Sequence, residues 1–335
     1  MKKYNFAVVG ATGLVGREMI KILSEFDLPI GKIKFFASKR SEGQKLFFKD
    51  KEITVQTIKK GCFQDVDIAL FSAGSAASKE IAPMAVLEGV VVIDNSNAFR
   101  MDKNIPLVIP EINPDNIKKG IIANPNCSTI QMLIALYPIY KKFGINRIIV
   151  STYQAVSGTG KAAIEELYTQ TSDILNGKNP VAKVYPHQIA FNCLPHIDIF
   201  EESGFTREEM KMVRETKKIL NDYNIKINST AVRVPVVYGH SESIYFETSA
   251  KVSLNEIKSA LKNFDAVKVV DDPDKDIYPL AIDTEKTDKV LVGRLRADID
   301  NPFAFNMWIT GNNIRKGAAL NAIQIASYMI KNNIV

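Results

Sequence analysis

Cys127 stands in the stretch Asn124-Pro125-Asn126-Cys127-Ser128-Thr129, between the apolar Ile121-Ile122-Ala123 and a long apolar run that begins at Ile130. Pro125 disfavours helix at Asn124, and Ser and Thr just before the apolar run are cap-forming residues, so the pattern predicts strand, turn, helix. A cysteine at a helix N-terminus meets partial positive charge and unsatisfied backbone N–H groups, which favour a thiolate and can hold an oxyanion. Those are the requirements of a nucleophilic thiol, with a buried structural thiol as the alternative. His240 is one of three histidines, with His187 and His196. It follows Gly239, with Arg233 a few residues upstream, which predicts a turn whose ring projects into a cleft; a structural histidine is the alternative. Glu208 and Lys211 stand three apart on one face of a helix opened by a capping box from Thr206 to Glu209. An exposed ion pair is the plain reading of those two.

Elements must position these groups. Tyr4–Val9 reads as a buried strand, followed by Gly10-Ala11-Thr12-Gly13-Leu14-Val15-Gly16 and an amphipathic helix from Arg17. Strand, glycine turn and helix let a pyrophosphate approach the backbone and rest on the helix N-terminus. The next strand, Lys32–Ala37, ends in Ser38-Lys39-Arg40-Ser41 rather than in an acidic residue. An Asp or Glu there would accept from the ribose 2′-OH and repel a 2′-phosphate, whereas Arg40 and the serines suit the phosphate, so the reading favours NADP over NAD. A hairpin around Lys49-Asp50-Lys51 and strands at 67–72 and 90–94 follow. The last runs into Asn95-Ser96-Asn97-Ala98-Phe99-Arg100, a polar loop with one cation. Alternating strands and helices predict a doubly wound, mostly parallel sheet, whose ligands lie beyond the carboxyl ends of the strands, where Arg100 and Cys127 belong. The second half mixes strands (147–155, 229–235, 243–250, near 290–293 and 305–309) with helices without strict alternation, which predicts an α+β domain.

Composition narrows the class. The 335 residues, 46% hydrophobic and 24% charged, suit two globular domains. No apolar run approaches a membrane span, and the apolar run after Lys2-Lys3 is too short for a signal peptide. The net charge of +6 is scattered as lysine pairs rather than one basic stripe, which argues against nucleic acid. Three separated cysteines form neither a disulfide framework nor a zinc site, and point to a reducing, cytoplasmic setting with no metal.

Over nearly its whole length the chain resembles the aspartate-semialdehyde dehydrogenase family. The segments that carry the resemblance are Gly10–Gly16, Asn124–Thr129, Thr152–Gly160, Arg233–His240 and Gly311–Ala319, in that order. The resemblance implies an α/β protein with an N-terminal Rossmann-like domain over 1–127, completed by the C-terminal helix 313–335, and a catalytic and dimerisation domain over 128–312. It implies Cys127 as nucleophile, His240 as acid/base and Gln154 as the residue that orients the substrate. It further implies that Arg233 holds the substrate carboxylate, Glu208 its amino group, and Arg100 with Lys211 the phosphate. Gly10, Thr12, Gly13, Leu14, Val15, Arg40, Ser41, Ser157, Gly158 and Asn313 would contact NADP. The implied reaction is the reversible, NADP-dependent reductive dephosphorylation of aspartyl 4-phosphate to aspartate semialdehyde and phosphate, toward lysine, threonine and methionine, by a homodimer. The chemistry asks for a sulfur that forms a thioester, a histidine with pKa near neutral, and two cations for a multiply charged phosphate. An N-acetyl-γ-glutamyl-phosphate reductase would share the thiol and the sheet, but its acetamide has no use for Glu208.

Overall fold

The computed structural model describes residues 2–335. The chain forms two compact units, one of residues 1–126 with 318–335 and one of 127–317. This division groups Cys127 and residues 313–317 with the second unit, whereas the sequence reading sets the boundaries at 127 and 313.

In the first unit, β1 (Tyr4–Val9), β2 (Ile30–Phe36), β5 (Ile68–Phe71), β6 (Val91–Asp94) and β7 (Ile121–Ala123) make a parallel sheet in the order β2-β1-β5-β6-β7. β3 (Lys45–Phe48) and β4 (Lys51–Thr54) form a separate hairpin. Both faces of the sheet are covered, so its central strands are mostly apolar, while β2 at the edge carries Lys32 and Lys34. Phe6 and Val8 of β1, with Ile68 and Leu70 of β5, pack under α1 (Leu14–Glu25) and the C-terminal helix Leu320–Lys331. Ala7, Val9, Ala69 and Phe71 point the other way, where α2 (Ser75–Leu87) contributes Ala82 and Ala85. Each fully buried phenylalanine here stabilises the fold by roughly 1.5–3 kcal/mol.

In the second unit a six-stranded mixed sheet runs in the order β11-β12-β13-β10-β8-β9. Its strands are β8 (Ile145–Gln154), β9 (Lys226–Arg233), β10 (His240–Thr248), β11 (Val267–Val269), β12 (Val290–Ala297) and β13 (Ala304–Gly311). Helices α3 (Cys127–Phe143), α5 (Arg207–Leu220) and α6 (Leu254–Lys262) pack on this sheet, and α4 (Lys161–Leu175) has its own small core with Val156, Ile189 and Leu194. Sequence explains the starts. Thr206 and Glu209 cap α5 reciprocally, Ser253 and Glu256 do the same for α6, and Lys217 and Lys218 sit at the negative end of α5. The alternate side chains of β8 leave Ile149 and Tyr153 exposed, and the Tyr153 ring lies 5.2 Å from that of Trp308 on β13. A cavity of about 440 Å³, lined by Tyr278, Leu280, Arg294, Arg296 and Trp308 among others, contains none of the candidate catalytic residues. Among the described residues no helix is long and apolar enough to cross a membrane.

Candidate active site

Cys127 is the first residue of α3, with its thiol at the positive end of a 17-residue helix. The glycine at 317 lies directly against it: a Cβ built there would stand 2.8 Å from the Cys127 Cβ and 3.2 Å from its Cα. Gly317 belongs to a wide π-helical turn, Arg315–Ala319, and its N–H bonds back to Asn312 O at 2.9 Å. Only a residue without a side chain leaves room for the cysteine.

Beside the cysteine, the carboxyl end of β8 delivers Gln154. Its Nε2 donates to Ser128 Oγ at 2.9 Å and to Glu208 Oε1 at 3.1 Å, all buried. Glu208 in turn accepts from Lys211 Nζ at 2.9 Å, and the same ammonium donates to Asp198 at 2.8 Å. Burial opposes the charge on Lys211, but Glu208 and Asp198 outweigh it and hold its pKa above the ordinary lysine value. The ion pair of Glu208 and Lys211 therefore exists, but it is not a surface pair: Glu208 is buried and Lys211 half-buried. Asp198, to which the sequence reading gave no role, extends it, and Ser128, read there as a helix cap, lies inside α3 and accepts from Gln154 instead. Asp198 carried no signal because it lies in a loop outside the regular elements, tied to the start of α5 by a bridge between Phe200 and Thr206, the Arg207 N–H on Ile199 O, and ion pairs from Lys211 and Arg214.

Arg233, the last residue of β9, is buried and donates from Nη1 to Ala155 O at 2.7 Å, while its Nε has no partner. The guanidinium lies 6.0 Å from the Tyr185 ring, within cation–π range. A buried Arg with an unused N–H is a site prepared for an anion. Gly158 separates Arg233 from His240: a Cβ on it would come within 3.0 Å of Arg233 Nη1 and 3.3 Å of His240 Nε2. Ser157 and Asn313 are hydrogen-bonded to each other at 2.9 Å, and Asn313 also accepts from Gly239 N.

His240 departs from the sequence reading in two ways. It is not in an open turn; it is the first residue of β10 and fully buried. Nor is its pKa near neutral, because burial first, and the nearby positive charge of Arg233 second, lower it to about 3, against a smaller raising effect of Glu208. Its Nδ1 accepts the Ala155 N–H at 3.0 Å, so the ring hydrogen of the neutral form sits on Nε2, which has no partner. His240 is thus a neutral hydrogen-bond donor. The acid half of an acid/base role has the geometry it needs; the base half does not, since a lone pair at Nε2 would require a hydrogen on the Nδ1 that Ala155 occupies.

The first unit holds the nucleotide motif. Gly10 has φ +84°, and a Cβ on it would fall 2.3 Å from Ser72 O; one on Gly16 would fall 2.2 Å from Gly10 O. The turn therefore exists only with glycine, and it brings Thr12, Gly13, Leu14 and Val15 to the start of α1. That helix has no side-chain cap and no acidic residue in its first turn, so its N–H groups are open to an anion. Arg40 is exposed on the short turn Lys39–Ser41 after β2, and Thr12 Oγ1 donates to Ser41 Oγ at 3.2 Å. This donor set fits a dinucleotide with a 2′-phosphate. Arg100 is buried and donates from Nη2 to Asn95 O at 2.9 Å, closing its loop. Asn124 donates to Asn95 Oδ1 at 2.7 Å and to Ala318 O at 3.2 Å, and receives Asn321 Nδ2 at 2.7 Å. Asn124 is thereby tied to Ala318 and to the helix Leu320–Lys331.

Comparison with known proteins agrees with both halves. Residues 5–120 match the model for the semialdehyde dehydrogenase NAD binding domain, and residues 136–316 that for the semialdehyde dehydrogenase dimerisation domain. The chain belongs to the semialdehyde dehydrogenase family. It is 54% identical over 338 residues to the aspartate-semialdehyde dehydrogenase of Aquifex aeolicus, covering 99% of each chain. The fold matches aspartate semialdehyde dehydrogenase II of Vibrio cholerae, solved in complex with ASA, with a TM-score of 0.96 at 47% identity and 99% coverage of both chains. It also matches the Candida albicans enzyme, solved with NADP, with a TM-score of 0.81 at 26% identity over 100% of both chains. Within the family the chain falls among the aspartate-semialdehyde dehydrogenases, NADP-dependent oxidoreductases of amino-acid biosynthesis. It carries their dimerisation domain and assembles as a homodimer.

Proposed function

We propose that the reversible reductive dephosphorylation of aspartyl 4-phosphate to aspartate 4-semialdehyde proceeds here through a thioester on Cys127. The observation that carries this reading is the cysteine at the start of α3, with buried Gln154, Glu208 and Ser128 joined by hydrogen bonds beside it. In the direction of synthesis, Cys127 Sγ attacks the acyl carbon and the phosphate leaves with the electron pair of the broken C–O bond. The cofactor, when bound, would supply the hydride as NADPH in this direction and accept it as NADP+ in the other. Gly10, Thr12, Gly13, Leu14 and Val15 hold its pyrophosphate, Arg40 and Ser41 its 2′-phosphate. Ser157, Gly158 and Asn313 are the remaining cofactor contacts.

The other roles follow from charge. Arg233 takes the α-carboxylate on its unused Nε, and its planar fork suits that group better than an ammonium would. Glu208 takes the α-amino group and Gln154 orients the substrate between them. His240 Nε2–H donates to the carbonyl oxygen as negative charge develops there, and the positive end of α3 faces the Cys127 sulfur. Lys211 and Arg100 receive the phosphate, which for Lys211 means opening its bond to Asp198. The scattered cysteines and small polar substrates support a cytoplasmic site of action. The test is NADPH formation from aspartate semialdehyde with and without phosphate. Phosphate-dependent turnover that Cys127→Ser abolishes supports the reading; phosphate-independent oxidation, or turnover by the variant, overturns it.

A further inference from the structure

One turn below Cys127 on α3, and two residues below His240 on β10, lies a polar pair with no part in the scheme above. Gln131 and Glu242 are both essentially inaccessible. Gln131 Nε2 donates to Glu242 Oε1 at 2.7 Å and, at 3.4 Å, to the carbonyl oxygen of His240 itself. The amide is wedged in place, since a Cβ on Gly311, which pairs with His240 across β13 and β10, would meet Gln131 Oε1 at 2.7 Å.

Two atoms in this pair have no partner, Gln131 Oε1 and Glu242 Oε2; so does Oγ1 of Thr152, the cross-strand neighbour of Glu242 on β8. The unused carboxyl oxygen and the unused amide oxygen are both acceptors if Glu242 is ionised, and among the described residues no cation pairs with it. If Glu242 carries a proton, its O–H can donate to the amide oxygen, closing a reciprocal acid–amide pair and satisfying both atoms. Burial pushes the Glu242 carboxyl well above its ordinary pKa, with the Gln131 bond acting more weakly in the other direction, which agrees with the geometry.

We propose that Glu242, as a carboxylic acid, and Gln131 form a clamp that holds the start of the helix bearing Cys127 against the start of the strand bearing His240. Both are positioning residues. The inference rests on the reading of Cys127 and His240 as the reacting pair, and its tests separate the two.

Glu242→Gln preserves shape, neutrality and the reciprocal hydrogen bonds; Glu242→Leu and Gln131→Met remove them while keeping bulk. In the full-length dimer, Glu242→Gln retains kcat within about threefold of wild type. Glu242→Leu loses at least about tenfold in kcat, with KM for aspartate semialdehyde and NADP little changed, because a misplaced nucleophile costs rate rather than binding. Alkylation of Cys127 by iodoacetamide slows with Glu242→Leu and recovers with Glu242→Gln. Infrared spectra of the wild type show a protonated carboxyl C=O band at neutral pH that Glu242→Gln lacks. Should Glu242→Leu fail to fold, Gln131→Met makes the same comparison. A Glu242→Gln enzyme as impaired as Glu242→Leu would mean that an ionised carboxylate is needed, and wild-type kcat in Glu242→Leu or Gln131→Met would mean that the pair positions nothing. Either result overturns the clamp. Activity in Cys127→Ser would instead overturn the thioester reading and leave the carboxyl band to report on Glu242 alone.

Discussion

Replacing Gly317 with alanine tests how tightly the nucleophile is held. Gly317 is not among the residues of positive φ, so its backbone accepts alanine, and the effect must come from what the methyl touches. The nearest atoms are Cys127 Cβ at 2.8 Å, Cys127 Cα at 3.2 Å and Asn312 O at 3.4 Å. Ordinary contact begins at 3.4 Å, so the cysteine and the methyl must separate by 3.4 − 2.8 = 0.6 Å. Neither side yields readily: the Gly317 N–H is bonded to Asn312 O, and Cys127 opens α3. Overpacking of this kind costs about 1–3 kcal/mol of stability. A displacement of about 1 Å at a reacting atom costs about a hundredfold in rate, so 0.6 Å corresponds to roughly ten- to thirtyfold in kcat. The assay is kcat and KM for aspartate semialdehyde at saturating phosphate, with NADPH binding by fluorescence and a thermal melt as controls. Near wild-type kcat in a folded Gly317→Ala protein would refute the claim that this contact fixes the thiol.

The remaining predictions are more direct. Cys127→Ser retains fold and NADP binding but loses nearly all turnover, because a hydroxyl is a far weaker nucleophile; alkylation kinetics and steady-state rates decide. Arg40→Ala raises KM for NADP and leaves that for NAD nearly unchanged, and equal effects on both cofactors would remove Arg40 from the 2′-phosphate. Glu208→Gln costs about 2–5 kcal/mol in kcat/KM with aspartate semialdehyde and much less with an analogue lacking the amino group, since only the former loses a charge partner. The same loss on both substrates would show that Glu208 acts only through Lys211 and Gln154. His240 has a folded pKa of about 3, below its unfolded value near 6.5, so the unfolded chain binds the extra proton between them and stability falls as pH drops through that window. His240→Asn therefore loses less stability than wild type on acidification from about pH 6.5 to about pH 5, by about 2 kcal/mol in urea titrations. Parallel curves would mean the ring is charged in the native state.

What the sequence alone determined here was local. The capping box of α5 is written in Thr206 and Glu209, three residues apart, and forms as read because both partners lie in one turn. The Gly10 turn and the cysteine at a helix start are equally legible, since positive φ and helix initiation are decided by neighbouring residues. Alternation of strand and helix gave the parallel sheet of the first unit for the same reason. Tertiary structure decided the rest. A histidine after a glycine gives no sign that its ring will be buried beside an arginine with a backbone N–H on Nδ1, so neither its lowered pKa nor its tautomer was readable. Asp198 reaches Lys211 only because the loop before α5 folds back, and Gln131 looked like one more residue in an apolar helix until β10 set Glu242 against it. Gly317, far along the chain, became part of the cysteine's surroundings only when its turn packed there. Protonation states and close contacts are properties of a three-dimensional environment, set by desolvation and by groups distant in sequence, and one-dimensional spacing carries neither.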